Sequence, residues 1–289
     1  AARMDFDQIP IGGDPGYVLL NWIVARLNGD IWWVNLACAV LFSIGLYAFC
    51  QIQPRPWLAL LVAVPYLIVV VAMGYTRQAV AIGLTMLALR VLAARGSTIQ
   101  FGAWIIAAAT FHKTAVLLIP LAALAGNRGR LWTMAWVGAA AVGAYLVLLA
   151  DSVDRLIEVY VVAEYDSSGA AVRTAMNALP ALLFIVFRDR FPLLPQERRL
   201  WLILAVVALA TVPALILSPS STAVDRLSLY LIPLQIMVLS RAPAAFSQSQ
   251  GARRFLTVVV VAYSAIALFV WLNFAQHSVH WIPYQLHPL

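Results

Sequence analysis

Apolar residues run through this chain in blocks about as long as a bilayer-spanning helix, and polar residues fall in short links between them. The blocks cover 31–50, 57–73, 77–92, 100–125, 131–150, 170–187, 200–217, 226–241 and 255–273. About 20 helical residues cross a hydrocarbon core about 30 Å thick, so the pattern predicts membrane-spanning helices. The links hold the residues expected at helix ends: Pro54 and Pro56 make a tight turn, Gly74 to Thr76 another, and Arg95 to Thr98 a third. Ahead of the first block, Gly12 to Gly16 reads as a turn. The short stretch 17–27, with Trp22 and Arg26, reads as a helix lying in the interface.

Composition agrees with this pattern. The chain is 63% hydrophobic and only 11% charged, which excludes an ordinary soluble domain. The expectation is an all-α polytopic integral membrane protein forming one transmembrane domain over 1–289. Residues 1–30 form a capping segment and 151–169 an amphipathic capping loop, both on the outer side. The chain starts at Ala1 with no signal-like stretch, so it is expected to be the ordered part of a longer protein. The net charge of +7 does not call for nucleic acid, because the arginines sit between apolar blocks, where the bias of basic residues toward the cytoplasmic side explains them. Membrane lipid is the partner that the composition implies. Cys38 and Cys50 share one block, about 18 Å apart along a helix, too far for a disulfide.

Counting charges sets the orientation. With the acidic N-terminal segment outside and every block crossing once, Arg55 and Arg90 face the cytoplasm, but Arg128 and the arginines after it come out on the wrong side. One change repairs this: block 100–125 enters and leaves on the same side, breaking at Phe111-His112-Lys113 into two arms. Each arm of about a dozen residues is about 18 Å long, against about 30 Å of hydrocarbon. The prediction is a broken re-entrant hairpin near 100–125 among about eight full crossings. Of the 19 basic residues, 12 then face the cytoplasm, with Asp189 and Glu197 the acidic ones beside them.

The polar residues left over gather on the outer side: Asp14, Arg77, His112, Lys113, Glu164, Arg173, Asp225 and Arg226. Chemistry, if the chain performs any, is therefore extracytoplasmic. Arg77 opens a helix with Gln78 beside it; it either snorkels to the interface or binds a phosphate with its planar fork. Lys113 is the only lysine in the chain, and ionisable groups at membrane depth are costly and point to function. Its neighbour His112 either caps backbone carbonyls at the break or acts as a general base, its ordinary pKa of about 6.5 suiting proton transfer near neutrality. Asp225 and Arg226 open a later helix with Tyr230 close by. Either Asp225 sits as an N-cap acceptor paired with Arg226, or Arg226 is a second phosphate ligand. Arg173, with Asn177 one turn on, resembles it. His277 and His280 fit an interface tail better than a metal site, and HExxH, CxxC and Gly-rich nucleotide patterns are missing. The sequence thus offers no metal or cofactor site.

Asp14-Pro-Gly-Tyr17, Arg77-Gln-Ala, Ala109-Thr-Phe-His112-Lys-Thr-Ala115 about 35 residues later, Val159-Tyr with Glu164-Tyr165, and Asp225-Arg226 with Tyr230 resemble, in order and spacing over roughly 14–240, the EpsG/Wzy-type polysaccharide polymerase family. The resemblance implies a metal-independent glycosyltransferase in the bacterial inner membrane, facing the periplasm, and a further N-terminal helix ahead of the acidic segment. Its donor and acceptor are undecaprenyl-pyrophosphate-linked oligosaccharides, and a chain-length regulator protein is an expected partner. The growing glycan passes from its lipid pyrophosphate to an acceptor hydroxyl of the incoming unit, as in exopolysaccharide or O-antigen assembly. On this reading His112 is the base and Arg77 and Arg226, with Lys113 or Arg173, meet the leaving pyrophosphate. Gln78, Tyr17, Asp14, Asp225, Tyr230, Glu164 and Tyr165 contact pyrophosphate or glycan. Two alternatives stay open: a flippase for the same lipid-linked glycans, against which the one-sided charge and the lack of internal repeats speak, and a glycan ligase with the same donor chemistry.

Overall fold

The computed structural model describes residues 13–95, 97–121, 135, 137–139, 142, 143, 169–218 and 220–283. Among these it contains helices and no strand. Six helices are long and apolar enough to cross a bilayer: Ile31–Gln51, Thr76–Ala94, Ala170–Arg190, Pro195–Leu217, Ser221–Phe246 and Gln250–Phe274. Pro56–Ala72 and Thr98–Phe111 are apolar but shorter. The protein is an all-α polytopic membrane protein. Most of block 131–150 lies outside the described residues, as do the beginning of the chain and the loop 151–168. The packing falls into two compact units, one spanning Ala1–Phe49 with Val71–Ile157, the other Cys50–Val70 with Glu158–Leu289.

The first unit holds α1 (Pro15–Arg26), α2 (Ile31–Gln51, whose last turn passes into the second unit), α4 (Thr76–Arg95) and α5 (Thr98–Phe111). Helix α1 starts because Pro15 stands in its first turn, where the missing N–H costs nothing. It ends with Arg26 in its last turn, where a cation complements the helix dipole. Asn28, at φ 56°, then turns the chain toward α2. Helices α2 and α4 meet backbone to backbone, since a Cβ built on Gly45 would lie 2.0 Å from the carbonyl oxygen of Gly83. Such close approach is how small residues hold membrane helices together without a hydrophobic drive.

Helix α5 begins at Ser97, whose hydroxyl accepts the Gln100 N–H at 3.3 Å, and buries Phe101, Ile105 and Ala108. At His112 the backbone becomes extended (φ −155°, ψ 108°), and a 3₁₀ turn follows over Lys113–Leu118. The helix breaks where the run of apolar residues is interrupted by a histidine and a lysine. Of the second arm of the expected hairpin, 113–125, the residues from 122 onward lie outside the described residues.

In the second unit α3 (Pro56–Ala63) widens into a π-helix over Val64–Ala72. Pro65 stands at its start, removing one donor from the ladder and pushing away the carbonyl four residues back. Helices α6 (Ala170–Phe187), α7 (Pro195–Leu217), α8 (Ser221–Ser228), α9 (Ile232–Phe246) and α10 (Gln250–Phe274) follow. Helix α9 is the centre, packed against α3, α6 and α10. The links at one end of this unit are tied together. Arg241 donates to Gln53 Oε1 at 3.0 Å and to Glu197 Oε1 at 2.8 Å, and Arg55 donates to the Thr257 hydroxyl. These are links that the charge count assigns to a single face. Cys38 and Cys50 are both free and buried.

Candidate functional site

Three chain segments of the first unit converge on Asp14. The residue stands at the N-cap position of α1, and its carbonyl accepts the first helical bond, from the Val18 N–H at 3.0 Å. Its side chain does not cap the helix. Instead Oδ2 accepts from Arg77 Nη1 at 2.8 Å, and Oδ1 from the backbone N–H of Lys113 at 3.3 Å. The start of α1, the start of α4 and the break after α5 are thereby tied at one carboxylate. Gly16 makes the approach of α1 to α5 geometrically feasible, because a Cβ there would come within 2.5 Å of the Thr110 hydroxyl.

Around this tie lie the groups that carry chemistry. The Arg77 guanidinium sits over the Tyr17 ring, 5.6 Å from its centroid. Its side chain is 54% exposed, whereas that of Asp14 is 11% exposed. Gln78, next along α4, is buried. His112 Nδ1 lies 2.6 Å from the Thr114 hydroxyl, which fixes the ring at the break. Burial raises the Asp14 carboxyl above its usual range. The Arg77 charge, the Lys113 N–H and the Lys113 charge pull it back only in part. Two cations, one carboxylate and an imidazole leave a net positive patch that offers donors to an anion and a base to a hydroxyl.

The second unit gathers another of the expected groups. Arg173 grips Asp225 with both prongs of its fork, Nε to Oδ1 at 2.5 Å and Nη2 to Oδ2 at 2.8 Å, and lies 6.0 Å from the Tyr66 ring centroid. Asn177 Nδ2 donates to the Ser228 carbonyl at 2.9 Å, and the Ser228 hydroxyl to the Asp225 carbonyl at 2.7 Å. This corrects the reading of Asp225 as a helix cap paired with Arg226. Helix α8 starts at Ser221, four residues before Asp225, behind Ser220, and the carboxylate belongs to Arg173. The reason is geometric: successive residues on a helix do not face each other, whereas an arginine on a neighbouring helix meets a carboxylate squarely. Arg226 follows on the same helix, and Tyr230 is buried in the 3₁₀ turn Leu229–Leu231. Glu164 and Tyr165 lie outside the described residues.

Some partners escaped the sequence. Thr114, two residues after His112, carried a weak signal, since a hydroxyl at that spacing often bonds a polar neighbour. Tyr66 carried none, standing inside an apolar block. Nor did Arg241 stand out from the other basic link residues, yet it is buried and bonded to Glu197 and Gln53.

The model of the EpsG family matches residues 2–286. The chain belongs to the EpsG family. Searches of curated proteins and of solved structures gave no match. The match covers almost the whole chain and upholds the family resemblance. EpsG-family membership points to a polysaccharide-polymerase-like, glycosyltransferase-like function connected with lipid-linked glycans, in a multi-pass membrane protein.

Proposed function

We propose that this EpsG-family protein polymerises undecaprenyl-pyrophosphate-linked oligosaccharide repeat units at the periplasmic face of the bacterial inner membrane. The observation that carries the reading is the convergence of Arg77 and the Lys113 N–H on one anion, Asp14, beside the helix break that presents His112. Polymerisation needs those parts. An acceptor hydroxyl attacks the anomeric carbon of the growing glycan while the bond from that carbon to the diphosphate oxygen breaks. His112 takes the hydroxyl proton. The electron pair leaves on the diphosphate, whose growing charge is met by Arg77 and the Lys113 side chain. Tyr17 and Gln78 flank Arg77 and bear on the same headgroup. In the second unit Arg226 and Tyr230 are assigned to substrate, and Arg173 with Asp225 holds the middle of α8 against α6.

The periplasmic side rests on the charge count along the links, and the undecaprenyl carrier and a chain-length regulator on the family. Reconstitution with a synthetic lipid-linked repeat unit tests the proposal. A ladder of products marks a polymerase, a single transfer a ligase, and translocation without a new bond a flippase. Removing the base is expected to lower turnover by about 10²–10⁴-fold, so His112→Ala protein, inserted and folded, should yield no long polymer. Arg77→Ala protein should fail likewise. Full-length polymer from both variants would sink the mechanism.

A further inference from the structure

The cation that the mechanism assigns to the diphosphate is already engaged. Arg77 meets Asp14 at 2.8 Å, and the Lys113 N–H meets the other oxygen of the same carboxylate at 3.3 Å. We infer that Asp14 is a resident stand-in for the oxyanion this site binds, and that it yields Arg77 and the Lys113 N–H to a diphosphate when one arrives. The inference rests on the reading of this site as a diphosphate site and adds to it the residue that regulates its occupancy.

Four observations support it. An aspartate at an N-cap ordinarily turns back to the N–H groups of its own helix, but Asp14 makes no such bond. It reaches instead to donors on two other segments, 63 and 99 residues along the chain. Each carboxylate oxygen takes one donor, and carboxylate and phosphoryl oxygens draw on the same donors in the same manner. Exposure is also unequal. The Arg77 side chain is 54% exposed and that of Asp14 11%, so an incoming anion meets the guanidinium from its open side while the carboxylate lies behind it. Finally, an ion pair with one partner this exposed is weak, and a diphosphate carries more charge than a carboxylate. Exchange therefore favours the diphosphate, and between turnovers the guanidinium remains compensated.

The test is binding of inorganic pyrophosphate, and in a second arm of a polyprenyl diphosphate, to the full chain in nanodiscs. Asp14→Asn keeps the shape and the acceptor for the Lys113 N–H and removes the competing charge. Affinity for pyrophosphate is expected to rise about tenfold, equivalent to ~1.4 kcal/mol. The gain should vanish when Arg77→Gln is added. A clamp of purely structural use predicts the reverse, so unchanged or weaker binding of both ligands by Asp14→Asn overturns the inference, as does a gain that survives Arg77→Gln. A gain seen with both ligands assigns recognition to the bare headgroup, a gain with the polyprenyl form alone to the lipid-borne one; a gain with neither refutes it. Asp14→Ser provides a second uncharged variant. In the wild-type protein pyrophosphate or the polyprenyl diphosphate should protect Arg77 from phenylglyoxal, and protection by neither also overturns the inference. Ladder formation is read separately. Tighter binding by Asp14→Asn in a protein that never polymerises leaves this inference standing and removes the polymerase reading.

Discussion

The carboxyl of Asp14 holds its proton to higher pH in the folded protein than in the unfolded chain, because burial outweighs the opposing effects of Arg77 and Lys113. The sign follows by linkage. A carboxyl whose folded value is raised contributes stability that is complete below the unfolded value, about 3.9, and is lost as pH rises through the folded value. Asp14→Asn is a permanent mimic of the protonated form. Its melting temperature in detergent is expected to exceed that of the wild type at pH 7, with the difference shrinking as the pH falls toward the ordinary carboxylate range. A difference that grows on acidification would reverse the sign. At this scale Arg77, His112 and Lys113 were legible, because a charge or imidazole interrupting an apolar block has to be explained. The partner of Asp225 was not, because Arg173 is 52 residues away in sequence.

Among the elements, the contact of α2 with α4 depends on two glycines. A Cβ on Gly83 would lie 2.8 Å from the Cα of Phe42, and one on Gly45 2.0 Å from the Gly83 carbonyl oxygen. Backbone cannot yield as a flexible side chain can, so Gly83→Val is expected to cost at least the 1–3 kcal/mol or so typical of overpacking and to lower the yield of monodisperse protein sharply. Gly138→Ala, with nothing among the described residues within 4 Å of the added carbon, should melt like the wild type. In the second unit the buried pair of Arg241 with Glu197, 8% and 14% exposed, ties the start of α7 to α9. Arg241→Ala would leave Glu197 without its counter-charge, and removal of one partner of such a pair costs about 3–5 kcal/mol. Arg241→Met with Glu197→Leu should recover most of that loss in a thermal melt. If the double variant melts no higher than Arg241→Ala, the cost lies in packing and not in the stranded charge.

For the whole molecule the open prediction concerns sidedness. The acidic segment around Asp14 and the basic links around Arg55, Arg190 and Arg253 are assigned to opposite faces by the distribution of arginine. In intact spheroplasts of a cysteine-free background, Gly13→Cys should react with an impermeant maleimide, and Gly251→Cys should react only after permeabilisation. Labelling of both from outside would remove the periplasmic assignment of the site. The second unit already joins its basic links at one end through Arg241, Glu197, Gln53, Arg55 and Thr257, which accords with their common assignment.

The sequence by itself determined the class of this protein and the approximate extent of several of its described helices. Hydrocarbon thickness sets a run length, and proline, glycine and charge at the links set the stops, so blocks such as 31–50, 170–187 and 255–273 reappear as Ile31–Gln51, Ala170–Phe187 and Gln250–Phe274. It also determined the break at His112, because a histidine and a lysine in succession fit poorly in a continuous spanning helix. Only the tertiary structure decided which polar groups meet. The pairings of Asp14 with Arg77 and Lys113, of Arg173 with Asp225 and of Arg241 with Glu197 join residues far apart in the chain. Helical periodicity states which face a residue occupies, but a partner on another helix depends on how the helices pack, and that is settled by contacts such as Gly45 against Gly83 that no local pattern encodes.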